Sequence, residues 1–132
     1  MNGDPLNLGR FSNHLLGILR IVTALSFISH GTMKFFGFPP GMPAPAILSL
    51  TGVAGMLELG GGTMVLLGLF TRPVAFLLSG EMAIAYWMAH APHGWVPAAN
   101  MGEAAMLFCF IFLYLAAAGP GAFALGRGRS GE

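Results

Sequence analysis

Four runs of apolar residues set the terms for this chain: His14 to Phe36, Ala46 to Phe70, Pro73 to His90 and Gly102 to Ala118. A helix needs about 20 mostly apolar residues to cross the hydrocarbon core of a bilayer. At 1.5 Å per residue the first run alone gives roughly 34 Å of helix. The last two runs lie near the lower limit, which leaves them little room to tilt. A soluble alternative fails on charge. Of 132 residues, 55% are hydrophobic and 8% are charged, against roughly 25% charged in an ordinary soluble domain. So few charges cannot cover the surface of a water-facing fold, whereas a bilayer accepts an apolar exterior. The 20 glycines suit helices that pack closely in lipid.

The connections agree with four helices in one domain. The stretch from Gly37 to Pro45 carries four prolines and two glycines and cannot continue a helix. Thr71-Arg72 is a minimal turn, so the second and third helices should be antiparallel neighbours. Pro73 opens the third where its missing N–H costs nothing, and Gly119-Pro120-Gly121 stops the fourth. The loop lengths suggest a two-plus-two hairpin arrangement. Trp95, in the loop before the fourth helix, belongs at headgroup depth. If the helices alternate, Arg10, Arg72, Arg127 and Arg129 share one side and only Lys34 falls toward the other. Basic residues collect on the cytoplasmic side, so both termini are expected there. The first run is too long for a cleaved signal peptide and carries Arg20 within it. The nearby small-x-small site, Ala44-Pro45-Ala46, contains a proline, so the run is read as a retained span.

Ionisable residues at membrane depth cost about 2.5–3.5 kcal/mol each on insertion scales, so they need a reason to be there. Arg20, Lys34, Glu58, Glu81 and Glu103 lie within or at the ends of the runs, and His30 is a sixth titratable group. Helical periodicity puts Arg20, Thr23, His30 and Lys34 within an arc of roughly 80° on the first helix, a polar face that must look inward. The glutamates fall one to each remaining helix. Glu58 is flanked at three and four residues by Ala54, Gly55, Gly61 and Gly62, a collar of small residues that lets another helix approach it. Depth along the helices suggests that Lys34 or His30 pairs with Glu103, and Arg20 with Glu58 or Glu81. Three carboxylates then face two obligate cations. Either His30 is protonated or one glutamate is neutral, the mark of a titrating or ligand-binding site. The plainer reading is that such pairs only fix helix register.

Other candidates are weaker. A net charge of +1 offers no basic stripe, so nucleic acid is not an expected partner. Cys109 stands alone between Phe108 and Phe110, which excludes an internal disulfide and suits a buried small hydrophobe. His90 and His93 flank Pro92 and lack the further ligands of a metal site, so no metal is expected and both read as solvated loop imidazoles. His14 and Asn100 stand near interfaces and suit helix caps. Gly60-Gly61-Gly62 lies inside an apolar helix and is no phosphate loop.

The charged positions also fit a known pattern. Leu19-Arg20, then Ser29-His30-Gly31 and Lys34, is similar to the first helix of the DoxX family of small four-helix bacterial membrane proteins. Glu58-Leu59, Leu67-Gly68-Leu69-Phe70-Thr71-Arg72 and Glu81 resemble its second and third helices. Glu103 and Gly119-Pro120-Gly121 resemble its end. The resemblance runs from about Leu16 to Arg127. It departs where members often carry serine-leucine-aspartate after the GPG stop, since Ala124-Leu125-Gly126 stands here. The resemblance implies similarity to the membrane subunit of thiosulfate:quinone oxidoreductases, and to components of thiol and oxidative-stress complexes.

The expectation is therefore an all-α membrane protein, an antiparallel four-transmembrane-helix bundle in the bacterial cytoplasmic (inner) membrane. Its polar core (Arg20, His30, Lys34, Glu58, Glu81 and Glu103) would bind a ligand, with quinone as the candidate and a soluble or membrane redox partner supplying the donor chemistry. Two rivals stand beside it: a proton-coupled transporter of a small solute, and a non-catalytic scaffold that holds a soluble partner through Arg72, Arg127 and Arg129. Four short helices bury little between themselves, which leaves room for a homo-oligomer that no motif specifies.

Overall fold

The computed structural model describes residues 5–40 and 49–126. After a single 3-10 turn (Leu8–Phe11), helix α1 runs from Ser12 to Phe36. It ends where the proline-rich segment begins to dictate. Gly37 takes a left-handed conformation (φ 72°), and its N–H returns to the Met33 carbonyl, closing the last turn. Helix α2 (Leu50–Leu67) starts later than the apolar count suggests. Ser49 is its N-cap, with Oγ accepting from the Gly52 N–H at 3.1 Å. The expected start at Ala46 falls outside the described residues. The far end is also shorter than Phe70, because Gly68 is left-handed (φ 72°) and stops the helix at Leu67. A Cβ at Gly68 would collide with Ala124, so the turn needs glycine for space as well as for conformation.

Helix α3 (Thr71–Ala85) opens with Pro73 in its first turn, where the N–H has no helical acceptor in any case. The α-helix stops short of the predicted His90. A π-helical turn (Tyr86–His90) and a 3-10 turn (Ala91–His93) follow, then a short helix α4 (Pro97–Asn100). Helix α5 (Glu103–Ala118) comes last. There are no strands among the described residues.

α1 packs along α2, and α3 packs along α5; the two pairs meet mainly through α2 and α3. Glycines set the close approaches. Gly62 faces Ile28 of α1, Gly61 faces Leu78 of α3, and Gly55 lies against Lys34 and Phe35. The collar predicted around Glu58 thus serves neighbours on both sides. The core is led by Phe27, Val65, Leu78, Phe112 and Leu115, all fully or almost fully buried. Phe27 meets Phe112 and Phe108 edge to face, with centroids 4.9 and 5.3 Å away. Ser79 ties α3 to α5 by donating to the Cys109 carbonyl at 2.7 Å.

The outward surface is apolar as well. Leu15, Ile18, Val22 and Leu25 on α1 are exposed, as are Phe76, Leu77 and Ile84 on α3 and Leu107, Phe110 and Tyr114 on α5. Three helical segments are long and apolar enough to cross a membrane: Leu8–Phe36, Leu50–Leu67 and Thr71–His93. Helix α5, with 16 residues, is apolar but shorter.

Candidate functional site

The six ionisable residues singled out from sequence separate into three environments. Arg20 is fully buried and meets no carboxylate. Its guanidinium donates to backbone carbonyls: Pro120, Ala122 (3.0 Å) and Phe123 (2.9 Å), with Leu66 at 3.5 Å. Only Nε–H lacks a partner. The segment after Gly119 folds back over the ends of α1 and α2 to supply these carbonyls. Ala122 N–H donates to Asn13 O, Leu125 N–H to Leu67 O and Gly126 N–H to Gly68 O. Gly17 makes the approach feasible, since any Cβ there would strike the Ala122 carbonyl. The expected pairing of Arg20 with Glu58 or Glu81 is therefore corrected. The forked guanidinium has found a ring of otherwise unsatisfied carbonyls beyond a helix end.

Glu103 is the second correction. It is exposed at the first residue of α5, where a carboxylate favourably faces the helix dipole, and it pairs with neither Lys34 nor His30.

The remaining four gather around one cavity of about 470 Å³ between the two helix pairs. Lys34 Nζ donates to Glu58 Oε2 at 2.6 Å, with Glu58 1% exposed and Lys34 21%. Glu58, one of the two partners expected for Arg20, is thus taken by Lys34. The late start of α2 explains the exchange. Glu58 sits roughly 12 Å from that start at 1.5 Å per residue, within reach of a lysine near the end of α1. Glu81 of α3 faces the same space and interacts electrostatically with both Glu58 and Lys34. Oε1 of Glu58 and both oxygens of Glu81 are buried, and the two carboxyl groups lie against each other within hydrogen-bond reach, with no other residue donating to these three oxygens. His30 lines the cavity too. Its Nδ1 bonds the Ser26 carbonyl at 3.1 Å and its ring stands edge-on to Phe108.

The rest of the lining is mostly apolar: Phe27 from α1, Met82 and Ala85 from α3, Ala105 and Phe108 from α5. On one side the wall reaches the exterior through Leu50, Ile84, Met88 and Met101, which are themselves exposed. A volume of this size, apolar with a few convergent polar groups, matches a small-molecule site. Among the described residues, no three His, Cys, Asp or Glu side chains gather to hold a metal ion.

His90, expected from its sequence neighbours to be a solvated loop imidazole, is placed differently by the structure. It is half-buried in the cavity wall, with Nδ1 bonded to the Asn100 carbonyl at 3.2 Å. The π-helical turn brings it there, because the wider turn changes the angular position of the residues that follow. Asn100, expected only to cap a helix, is buried and knots this end together. Its Nδ2 donates to Tyr86 Oη (3.1 Å) and Gly94 O (2.9 Å), while Oδ1 accepts from Gly102 N–H (2.9 Å). A proline and a glycine near His90 looked like loop punctuation, and no periodicity marked the wide turn. His93 is exposed, as predicted.

Comparison with known proteins bears on the whole chain. Residues 15–91 match the family described as DoxX. A protein of Haemophilus influenzae, described as uncharacterized, is 45% identical over 129 residues, covering 90% of this chain and 93% of its own length. No solved structure matches. With more than half of its length under the family pattern, and apolar helices exposing leucine and phenylalanine on their outer faces, the chain belongs to the DoxX family of membrane proteins.

Proposed function

We propose that the chain is a multi-pass protein of the bacterial cytoplasmic membrane whose cavity binds the ring of a membrane quinone, as the membrane component of a quinone-linked redox or sulfur/thiol-detoxification system. One observation carries this reading: a cavity of about 470 Å³ with an apolar lining, walled on one side by the Lys34–Glu58 pair and Glu81. An aromatic ring would lie against Phe27, Met82 and Phe108 of the lining, with its oxygen atoms toward Lys34, His30 and the carboxyl groups. The exposed apolar residues at one wall suit a ligand that arrives from the lipid. A carboxyl group beside the ring oxygens can exchange a proton with it. Cys109 has no second cysteine in this sequence, so the electrons would come from a partner protein.

In this reading all four long helices span the bilayer, antiparallel in order. Helix α5 packs along α3 and presents Leu107, Phe110 and Tyr114 outward, which suits the same lipid. Both termini lie in the cytoplasm, with Arg10, Arg72, Arg127 and Arg129 on that side. Glu58 and Lys34 fix the ligand, while Arg20 and Glu103 drop out of the binding set.

The test is thermal unfolding of the detergent-solubilised protein with a decyl-substituted benzoquinone, supplied in each redox state. A ligand that binds only the folded state raises Tm. The wild type should be stabilised by several degrees, and Glu58→Gln should lose most of that shift. A wild-type Tm indifferent to both redox states would remove the reading.

A further inference from the structure

We infer that the cavity is dead-ended, with its mouth at the end of the bundle away from the two termini, so that a ring ligand enters and leaves through one leaflet of the membrane. The inference rests on the quinone reading for the ligand and adds its route and its side. Hydrogen bonds establish which helix ends lie together. Ala122 N–H reaches Asn13 at the start of α1, while Leu125 and Gly126 reach Leu67 and Gly68 at the end of α2. Helix α3 begins just beyond that turn, and the donors come from the segment after α5, so these four helix ends form one end of the bundle. The end of α1, the start of α2, the π-helical turn after α3 and the start of α5 form the other.

Among the described residues, the whole cavity lining belongs to the second end. Its members farthest from that end are Phe27 on α1, Glu58 on α2, Glu81 on α3 and Phe108 on α5. Even Phe27 lies only roughly 13 Å from Phe36 at 1.5 Å per residue, less than half of a hydrocarbon core of about 30 Å. Below this depth the helices close on one another. Phe27 and Phe108 meet edge to face, and Phe112 packs against both. Val65, Leu78 and Leu115, all fully buried, complete that layer. Gly61 and Gly62 draw Leu78 of α3 and Ile28 of α1 onto α2. Beyond it, toward the termini, Arg20 and its backbone carbonyls seal the bundle.

The mouth is read from residues that line the cavity and are also exposed: Leu50, Thr51, Ile84, Met88 and Met101. All but Thr51 are apolar, so the rim suits acyl chains and not bulk water. Trp87, next to Met88, is 61% exposed and Trp95 is 87% exposed, which sets this end at the headgroup boundary. A ring with a long tail can thus slide in from the lipid just beneath the headgroups, with the tail trailing outside. With both termini in the cytoplasm, as proposed above, that is the outer leaflet. A dead-ended cavity returns its ligand to the leaflet it came from. The site therefore holds or converts the ring and does not carry it across.

The experiment photolabels the full-length protein in lipid vesicles with an azido-substituted decyl benzoquinone and maps the adducts by mass spectrometry. Adducts that excess decyl benzoquinone competes away should fall on the mouth half, in the peptides that carry Ile84, Met88 and Met101. Competed adducts at the other end, around Leu67 or Leu115, overturn the inference and leave the quinone reading intact. No competed adduct anywhere removes both. Stopped-flow binding of the same quinone gives a second readout. Ile84→Trp and Met101→Trp add bulk at exposed rim positions and should each slow association at least fivefold, with Tm unchanged in the absence of ligand. Phe76→Trp, exposed on α3 away from the cavity, should leave the rate as it is. Rim variants no slower than Phe76→Trp overturn this mouth.

Discussion

Arg20 and Lys34 are both cations on one face of α1, yet they live in opposite circumstances. Around Arg20 the chain closes tightly. Backbone carbonyls from the last described segment surround the guanidinium, and the residue does not border the cavity. Around Lys34 the chain leaves space. The ammonium answers one oxygen of Glu58, whose carboxyl group in turn meets that of Glu81, and all three residues border a cavity. The difference teaches how to sort buried charges in a membrane protein. Charge and depth alone do not tell these two settings apart, whereas the free volume beside Lys34 does.

The comparison breaks most sharply at Arg20. Arg20→Met should destabilise the protein by about 3 kcal/mol or more, since it leaves several buried carbonyls without donors. Arg20→Lys should recover only part, because a point charge cannot span the carbonyls that a fork reaches. Detergent thermal unfolding of the three proteins checks this, and a Met variant as stable as wild type would show that Arg20 is no scaffold. Lys34→Met comes next. It strands the Glu58 carboxylate in a buried setting, with an expected loss of about 2–3 kcal/mol. The double change Lys34→Met with Glu58→Leu should regain most of it, and an additive double mutant would contradict a direct pair. Glu103→Gln marks the small end, within about 0.5 kcal/mol of wild type for an exposed helix-terminal charge. A larger loss there would return Glu103 to the polar cluster.

Much of this was legible in the sequence, for identifiable reasons. Hydropathy located the helices, glycine and proline located the ends of α1 and α5 but not those of α2 and α3, and the small residues around Glu58 announced a close neighbour. Partner identities were less legible. The carbonyls that hold Arg20 belong to Pro120, Ala122 and Phe123, whose side chains advertise no polarity, so pattern reading assigned the arginine to a glutamate. The register of Lys34 against Glu58 depended on where α2 begins. Ser49, the N-cap that decides it, is a single residue that follows a proline-rich stretch of sequence. His90 depended on one wide turn with no periodic signature.

The fold-back of residues 119–126 onto α1 carries a consequence for how the protein is made. Arg20 is synthesised about a hundred residues before the carbonyls that will hold it, the separations being 100, 102 and 103 positions. As the ribosome elongates the chain, α1 is complete long before its guanidinium can meet these carbonyls. The nascent protein stays incomplete in its chemistry as well as its length until the segment beyond α5 has been made. Closure of that contact is thus among the last steps in the making of this fold, set by the order of the chain and not by the strength of the contact.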